Sequence, residues 1–164
     1  MTEQTEMVGL GGGCHWCTEA VFQALHGVID VEQGFMRSDP PHEDWSEAIL
    51  ATFRPSRIDL AVLIEIHLRT HARMSDHKLR GKYRSAIYTF DDRQKVSAEN
   101  ALKTLQGGFE KPLVTRVLPQ REFRQSEERF QNYYFSNPDR PFCRTYIDPK
   151  LRVLREQFSE QMEA

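Results

Sequence analysis

A run of three glycines followed by a cysteine is the feature that most constrains the fold of this chain. Gly11-Gly12-Gly13 follows a short apolar stretch and precedes residues 15–26, whose apolar positions recur at the spacing of an amphipathic helix. Glycine permits tight turns because it lacks a Cβ atom. The sequence therefore predicts a strand and turn over residues 7–13, then a helix that begins beside Cys14 and ends at Gly27.

Cys14 occupies a position where a thiol is expected to be reactive. Unpaired N–H groups and the helix dipole favour an anion at a helix start, and hence the thiolate form. Cys17 lies three residues further on, on the same helix face and within disulfide reach, although it also begins the apolar stripe and could serve in packing. A zinc site would need two more ligands, and no second pair at suitable spacing supplies them. We therefore predict a reactive thiol and no metal site.

The rest of the chain predicts further strands and helices without strict alternation, which favours an α+β fold over a doubly wound sheet. The predicted strands are residues 28–36, 46–53, 83–90 and 114–118. The predicted helices are residues 59–71, 91–106, 126–135 and a C-terminal helix from Pro149. Residues 121–129 are read as a solvated helix start rather than a docking face. No repeat or linker divides the sequence, so a single domain over residues 1–164 is expected.

Composition excludes several classes of partner. Apolar residues make up 39% of the 164 residues and charged residues 28%, with a formal net charge of −2. This balance argues against nucleic acid and anionic membranes as partners. No apolar run approaches the roughly 20 residues that a membrane span requires. The first residues are polar and acidic, unlike a signal peptide, and three cysteines are too few for a secreted disulfide framework. A cytoplasmic location is therefore expected.

The cysteine motif resembles the signature of a known enzyme family. Gly13-Cys14-His15-Trp16-Cys17 is similar to the Gly-Cys-Phe-Trp signature of methionine sulfoxide reductase A. Further similar blocks follow in the same order: Gly34-Phe35, Ser46-Glu47-Ala48, Lys82-Tyr83-Arg84-Ser85, Phe130-Gln131-Asn132-Tyr133 and Pro141-Phe142-Cys143. The similarity covers about residues 7 to 151, which is nearly the whole chain.

The resemblance implies both a fold and a reaction. The fold would be a two-layer α/β sandwich around a mixed, largely antiparallel sheet, and the protein a monomer. The reaction would be reduction of methionine S-sulfoxide, free or within proteins, to methionine. It would need no bound cofactor, because thioredoxin or another dithiol would act as the external reductant.

The resemblance also implies roles for individual residues. Cys14 would attack the sulfoxide sulfur, and Glu47 would protonate the departing oxygen. Tyr83 would hydrogen-bond that oxygen, while His15 and Trp16 would line the substrate pocket. These residue types suit the chemistry, because a sulfoxide oxygen leaves poorly until it is protonated. The resulting sulfenic acid would condense with a second thiol, and an external dithiol would reduce the disulfide.

Several positions depart from the family pattern. His15 stands where phenylalanine is usual, and it could act as an aromatic surrogate or favour the Cys14 thiolate. Asp76 is at most a shifted stand-in for the family's active-site aspartate, because the loop before residue 83 is short. Either Cys17 or Cys143 could be the resolving cysteine. We favour Cys17 slightly, since it is close in sequence.

Two alternative functions stay open at this point. A thioredoxin-like thiol–disulfide oxidoreductase would use Cys14 and Cys17, and would reduce insulin without acting on sulfoxides. A non-catalytic protein of the same fold would bind methionine sulfoxide without losing a thiol. The first lacks support from a βαβ start. The second rests on two departures from the family pattern: there is no clear counterpart of the family's second active-site tyrosine between Phe35 and Glu47, and the aspartate is at most shifted.

Overall fold

The computed structural model describes residues 4–12, 15–70, 84–110 and 112–162. The strands in these ranges are β1 Glu6–Gly11, β2 Val28–Arg37, β3 Ser46–Phe53, β4 Ala86–Thr89, β5 Arg116–Pro119 and β6 Glu122–Gln125. The α-helices are α1 His15–Gln23, α2 Leu60–Thr70, α3 Asp92–Leu105, α4 Tyr133–Ser136 and α5 Asp148–Gln157. A π-helical turn, Cys143–Ile147, leads into α5. No helix within the described ranges is long and apolar enough to cross a membrane.

The strands form one sheet in the order β5-β4-β1-β3-β2-β6. All neighbouring pairs are antiparallel except β4 and β5, which run parallel. The prediction of a mixed, largely antiparallel sheet is confirmed. Its centre is the pair β1 and β3, so the glycine turn that follows β1 leaves from the middle of the sheet.

Apolar side chains alternate along the central strands and so separate the two faces of the sheet. The face that packs against α1, α2, α3 and α5 carries Val8, Leu10, Ile49, Ala51, Phe53 and Ile87. The opposite face carries the smaller cluster Met36, Ala48, Ala86 and Tyr88. Because the helices contribute to the first cluster alone, the predicted two-layer α+β arrangement is confirmed.

Local sequence signals explain several helix boundaries. Asp91 caps α3, since its side chain accepts a hydrogen bond from the N–H of Gln94 at 2.7 Å. Gly27 has a φ of 96°, and a Cβ atom there would also collide with Ile58. Glycine is therefore required where the chain leaves α1 and enters β2.

The prediction for residues 121–135 is wrong in two respects. Residues 122–125 form β6, an edge strand against β2, rather than the start of a helix. The predicted helix 126–135 is replaced by a 3₁₀ turn, Glu128–Phe130, and the single helical turn α4. Asn132 lies between them with a φ of 55°, which interrupts any continuous helix.

Candidate active site

The turn between β1 and α1 brings the N-terminus of α1 to the centre of the sheet. β1 ends at Gly11 and α1 begins at His15. A Cβ atom on Gly11 would lie 3.2 Å from the carbonyl oxygen of Glu47 and 3.0 Å from that of Arg84, so glycine permits this close approach. Cys14 lies outside the described residues. The site is therefore described from Gly12 and His15, the nearest described residues before and after Cys14.

Glu47 lies directly beside the start of α1. Its side chain is on the face of β3 that meets the helices, where the residue is only 7% exposed. Oε1 accepts a hydrogen bond from the backbone N–H of His15 at 3.1 Å. His15 immediately follows Cys14 in the chain. The carboxyl group for which the resemblance predicts the role of acid is thus hydrogen-bonded to the residue that follows the predicted nucleophile.

The ring of His15 is buried between β2 and Glu47. Its Nδ1 lies 2.8 Å from the carbonyl oxygen of Gly34. A carbonyl oxygen can only accept, so Nδ1 carries the hydrogen and donates it. Nε2 then points towards Glu47, with 3.6 Å between Nε2 and Oε1. The ring also packs edge-on against Phe35, with 5.3 Å between the ring centroids. A phenylalanine at position 15 could make the same contact.

Trp16 forms the base of an aromatic cluster. Its indole stacks on Tyr133 with ring centroids 4.2 Å apart and planes 9° from parallel. Phe142 packs edge-on against it at 5.4 Å, and Phe130 lies at 5.7 Å. All three partners belong to residues 130–143, which we call the 130–143 segment. The resemblance predicts Trp16 as a wall of the substrate pocket; in the structure, its indole is backed by the ring of Tyr133.

Glu19 fastens the 130–143 segment to α1. The residue is fully buried, and its carboxylate accepts hydrogen bonds from the backbone N–H groups of Asn132 at 2.7 Å and Tyr133 at 2.9 Å. Gln33 donates a third, at 2.8 Å. Burial raises the pKa of Glu19, and these hydrogen bonds act in the opposite direction. Sequence reasoning missed this residue, whose only signal was a carboxylate within an amphipathic helix.

Gln131 makes a second attachment of the same segment. Its side-chain oxygen accepts from the backbone N–H of Gln33 at 3.0 Å, and its side-chain nitrogen donates to the carbonyl of Gln33 at 2.9 Å. The amide therefore pairs with β2 as a neighbouring strand would. Together with Glu19, it holds Tyr133 in place against Trp16.

Both candidate resolving cysteines are buried in the helix layer. Cys17 lies on α1 and Cys143 begins the π-helical turn; they are 4% and 0% exposed. The Cys143 thiol donates to the carbonyl of Asn137 at 3.7 Å, and desolvation raises its pKa. The preceding residue, Phe142, contacts Trp16. Cys143 is thus close in space to α1 despite its distance in sequence.

Tyr83 and Asp76 lie outside the described residues, but Arg84, which follows Tyr83, is among them. The backbone N–H of Arg84 donates to the hydroxyl of Ser46 at 2.8 Å. Ser46 precedes Glu47. The residue that follows Tyr83 therefore lies beside the strand that carries Glu47.

His67, on α2, forms a hydrogen bond with the last residue of β1. It is 1% exposed, and its Nε2 donates to the carbonyl oxygen of Gly11 at 2.8 Å. Burial lowers its pKa to about 4, with a smaller contribution from the positive charge of Lys150. His67 is therefore a neutral structural donor rather than a ligand. Among the described residues, no group of three His, Cys, Asp or Glu side chains could hold a metal ion.

Comparisons with known proteins agree with this geometry. A family model described as "Peptide methionine sulfoxide reductase" matches residues 6–162. The protein "Peptide methionine sulfoxide reductase MsrA" of Trichodesmium erythraeum is 32% identical, over 97% of this chain and 99% of its own length.

Solved structures share the fold. The reduced form of Mxr1 from Saccharomyces cerevisiae has a TM-score of 0.74 and 22% identity, covering 87% of this chain and 91% of that one. Mxr1 has also been solved in complex with Trx2, where the TM-score is 0.63, the identity 20% and the coverage 78% and 87%.

Proposed function

Because this chain belongs to the peptide methionine sulfoxide reductase family, we propose that it reduces methionine S-sulfoxide through a sulfenic acid on Cys14. The observation that carries the assignment of roles is the hydrogen bond between Glu47 and the N–H of His15. It puts a buried carboxyl group next to the residue after the nucleophile. An acid is needed there, because the sulfoxide oxygen must gain a proton as it leaves sulfur.

In the first step, the Cys14 thiolate attacks the sulfoxide sulfur and Glu47 gives its proton to the sulfoxide oxygen. The oxygen then passes to the Cys14 sulfur, and methionine leaves. The substrate sulfur is reduced by two electrons, and the cysteine sulfur is oxidised by two electrons to the sulfenic acid. We place Tyr83 as a hydrogen-bond donor to the same oxygen; the attachment of Arg84 to Ser46 beside Glu47 supports this.

Trp16 and His15 form the walls of the substrate pocket in this proposal. Trp16 presents an apolar face, stiffened by its stacking on Tyr133, to the methyl group and side chain of the substrate. His15 is held by Gly34 and Glu47, so its ring is oriented rather than free to rotate. Asp76 stays a candidate for the family's aspartate.

The catalytic thiol is then regenerated in two steps. A second cysteine attacks the sulfenic acid, forms a disulfide with Cys14 and releases water; an external dithiol then reduces that disulfide. We favour Cys17 as the resolving cysteine because it lies only three residues after Cys14 in the sequence. Cys143 is the competitor, and its neighbour Phe142 already contacts Trp16. We propose thioredoxin as the reductant, as the solved complex of yeast Mxr1 with Trx2 suggests.

A single-turnover experiment tests the proposal. The reduced protein is mixed with the S or R epimer of a methionine sulfoxide peptide without recycling reductant, and methionine and remaining thiols are counted. We expect one methionine per chain and the loss of two thiols with the S epimer, and no product from Cys14→Ser. Insulin reduction without methionine formation would instead indicate a thiol–disulfide oxidoreductase. Binding without thiol loss would indicate a non-catalytic binding protein.

The same experiment identifies the resolving cysteine. If Cys17 resolves, Cys17→Ser should stop at the sulfenic acid and lose only one thiol, whereas Cys143→Ser should behave like the parent protein. The reverse pattern would assign the role to Cys143. Thioredoxin-driven cycling at the parent rate in Cys17→Ser would reject Cys17.

A further inference from the structure

Arg124 lies in the same cross-strand row as the proposed catalytic acid. Phe35 of β2 is directly opposite Glu47 of β3 on one side and opposite Arg124 of β6 on the other. Residues directly opposite one another project from the same face of a sheet. Neighbouring strands are about 5 Å apart, so about 10 Å separates the backbones of Glu47 and Arg124. An arginine side chain is long enough to span most of this distance from the backbone of Arg124 towards Glu47.

Two aromatic rings hold the guanidinium group of Arg124. Its Cζ lies 5.4 Å from the centroid of Phe35 and 4.8 Å from that of Trp45. Phe35 is itself in contact with the ring of His15. One ring therefore separates the cation from the pocket wall. The stacking also restricts the side chain, so less conformational entropy is lost when a ligand binds.

Arg124 has no carboxylate partner within the described part of the chain. The contrast with Arg37 is informative, because Arg37 stacks on Trp45 as well, at 5.0 Å, but forms an ion pair with Glu122. The charge of Arg37 is thus neutralised by Glu122, whereas no carboxylate among the described residues neutralises that of Arg124, which is exposed. A restrained and unneutralised guanidinium group beside an active site can bind an anion, and its planar fork matches a carboxylate.

We propose that Arg124 binds a carboxylate group of the substrate. This group is the α-carboxylate of free methionine sulfoxide, or the side chain of an acidic residue beside an oxidised methionine in a polypeptide. The α-carboxylate carbon is only four bonds from the sulfur, so the carboxylate of a substrate whose sulfoxide lies next to Glu47 is within reach of this end of the row. The proposal rests on the proposed function, since it needs a sulfoxide substrate in the pocket.

Matched substrates and variants test it. Arg124→Gln and Arg124→Lys are compared with the parent protein, and Arg37→Gln serves as the control because it removes the other arginine that stacks on Trp45. One substrate pair is free methionine S-sulfoxide and its carboxamide. The other is a pair of blocked peptides with aspartate or asparagine next to the sulfoxide. KM and kcat are measured for each combination, and circular dichroism checks the fold.

We expect Arg124→Gln to raise KM about tenfold for the carboxylate-bearing member of at least one pair, which is the effect of losing one charge-assisted hydrogen bond. The neutral members, kcat and Arg37→Gln should change little, and Arg124→Lys should fall in between. The pair that responds identifies the source of the carboxylate. Equal losses on charged and neutral substrates, or no loss on any, would overturn the proposal.

The outcome is separable from failure of the proposed function. If the parent protein forms no methionine from any substrate, the reductase assignment itself fails. If the parent protein is active and does not distinguish the members of either pair, only the role of Arg124 is rejected.

Discussion

The carboxylate of Glu47 and the backbone N–H of His15 are hydrogen-bonded at 3.1 Å, although 32 residues separate them in the chain. The bond joins the start of β3 to the first residue of α1. One contact therefore fixes the Glu47 side chain relative to the N-terminus of α1.

Glu47→Gln should remove the proton donor without removing this contact. The amide oxygen can still accept from the N–H of His15, so the urea midpoint should change little. Methionine formation should slow by about 10²- to 10⁴-fold, the usual contribution of a general acid. Single-turnover rates measure this, with Glu32→Gln on the neighbouring strand as the control. A parent-like rate in Glu47→Gln would show that another group supplies the proton.

His15→Phe should separate the role of the ring from that of the backbone. The variant keeps the edge contact with Phe35 and the N–H that holds Glu47, but it loses the hydrogen bond to Gly34. We expect the free energy of unfolding to fall by about 1 kcal/mol, with activity of the same order as in the parent. Urea unfolding and single-turnover assays test both parts. A rate as low as that of Glu47→Gln would instead make the imidazole part of the proton transfer.

Glu19→Gln should loosen the 130–143 segment. A carboxylate accepts from all three N–H donors around it, whereas an amide directs its own N–H₂ group at one of them. We expect a loss of about 2 kcal/mol in the free energy of unfolding and faster proteolysis within the segment. Glu65→Gln, which removes a partly exposed ion pair with Arg69, should lose about 0.5 kcal/mol or less. Equal effects of the two substitutions would contradict the role of Glu19 in fastening the 130–143 segment to α1.

His67 should make the fold less stable in mild acid. Its pKa is about 4 in the folded protein and about 6.5 when unfolded, so between these values the unfolded chain binds more protons. Stability should therefore fall as the pH decreases through this window, by about 3 kcal/mol in all. His67→Gln retains an N–H for Gly11 and does not titrate. The free energy of unfolding of His67→Gln should fall less than that of the parent protein between pH 7 and pH 4, by this amount. Parallel curves of unfolding free energy against pH would show that His67 is not the titrating group responsible.

Gly34→Ala should disturb the β2–β6 pairing. A Cβ atom there would collide with the backbone carbonyl of Arg124, which cannot move away without separating the strands. We expect a loss of about 1–3 kcal/mol in the free energy of unfolding, typical of overpacking. A Cβ atom on Gly107 would meet nothing within 4 Å, so Gly107→Ala should be neutral or slightly stabilising. Thermal unfolding compares the two, and similar shifts would contradict the steric argument.

Elements with strong periodicity could be predicted from the sequence. The strand over residues 46–53, the helix start after the glycine turn and the Asp91 cap are all present in the structure. The helix predicted for residues 126–135 failed because of tertiary hydrogen bonds. The N–H groups of Asn132 and Tyr133, which a helix would use internally, are bound to Glu19. Local propensity does not include such a competitor.

β6 could not be predicted for a related reason. Its four residues contain one apolar side chain, Phe123, so no alternating pattern marks them. The strand exists because β2 offers unpaired backbone groups along its edge. The position of Arg124 could not be predicted either, since its place opposite Phe35 depends on the register between β2 and β6. Within the site, the resemblance to the family predicts roles for Glu47 and Trp16, whereas the contacts of Glu19 became visible only in the structure.

The attachment of the 130–143 segment to α1 has a consequence for how the protein is made. Glu19 accepts hydrogen bonds from Asn132 and Tyr133, which lie 113 and 114 positions further along the chain. These contacts therefore cannot form until most of the polypeptide has been synthesised. Loop closure over that distance carries a large entropy cost, and such non-local contacts slow folding. The central strands can pair earlier. We therefore expect the nascent protein to remain without the aromatic cluster around Trp16 until the 130–143 segment has left the ribosome.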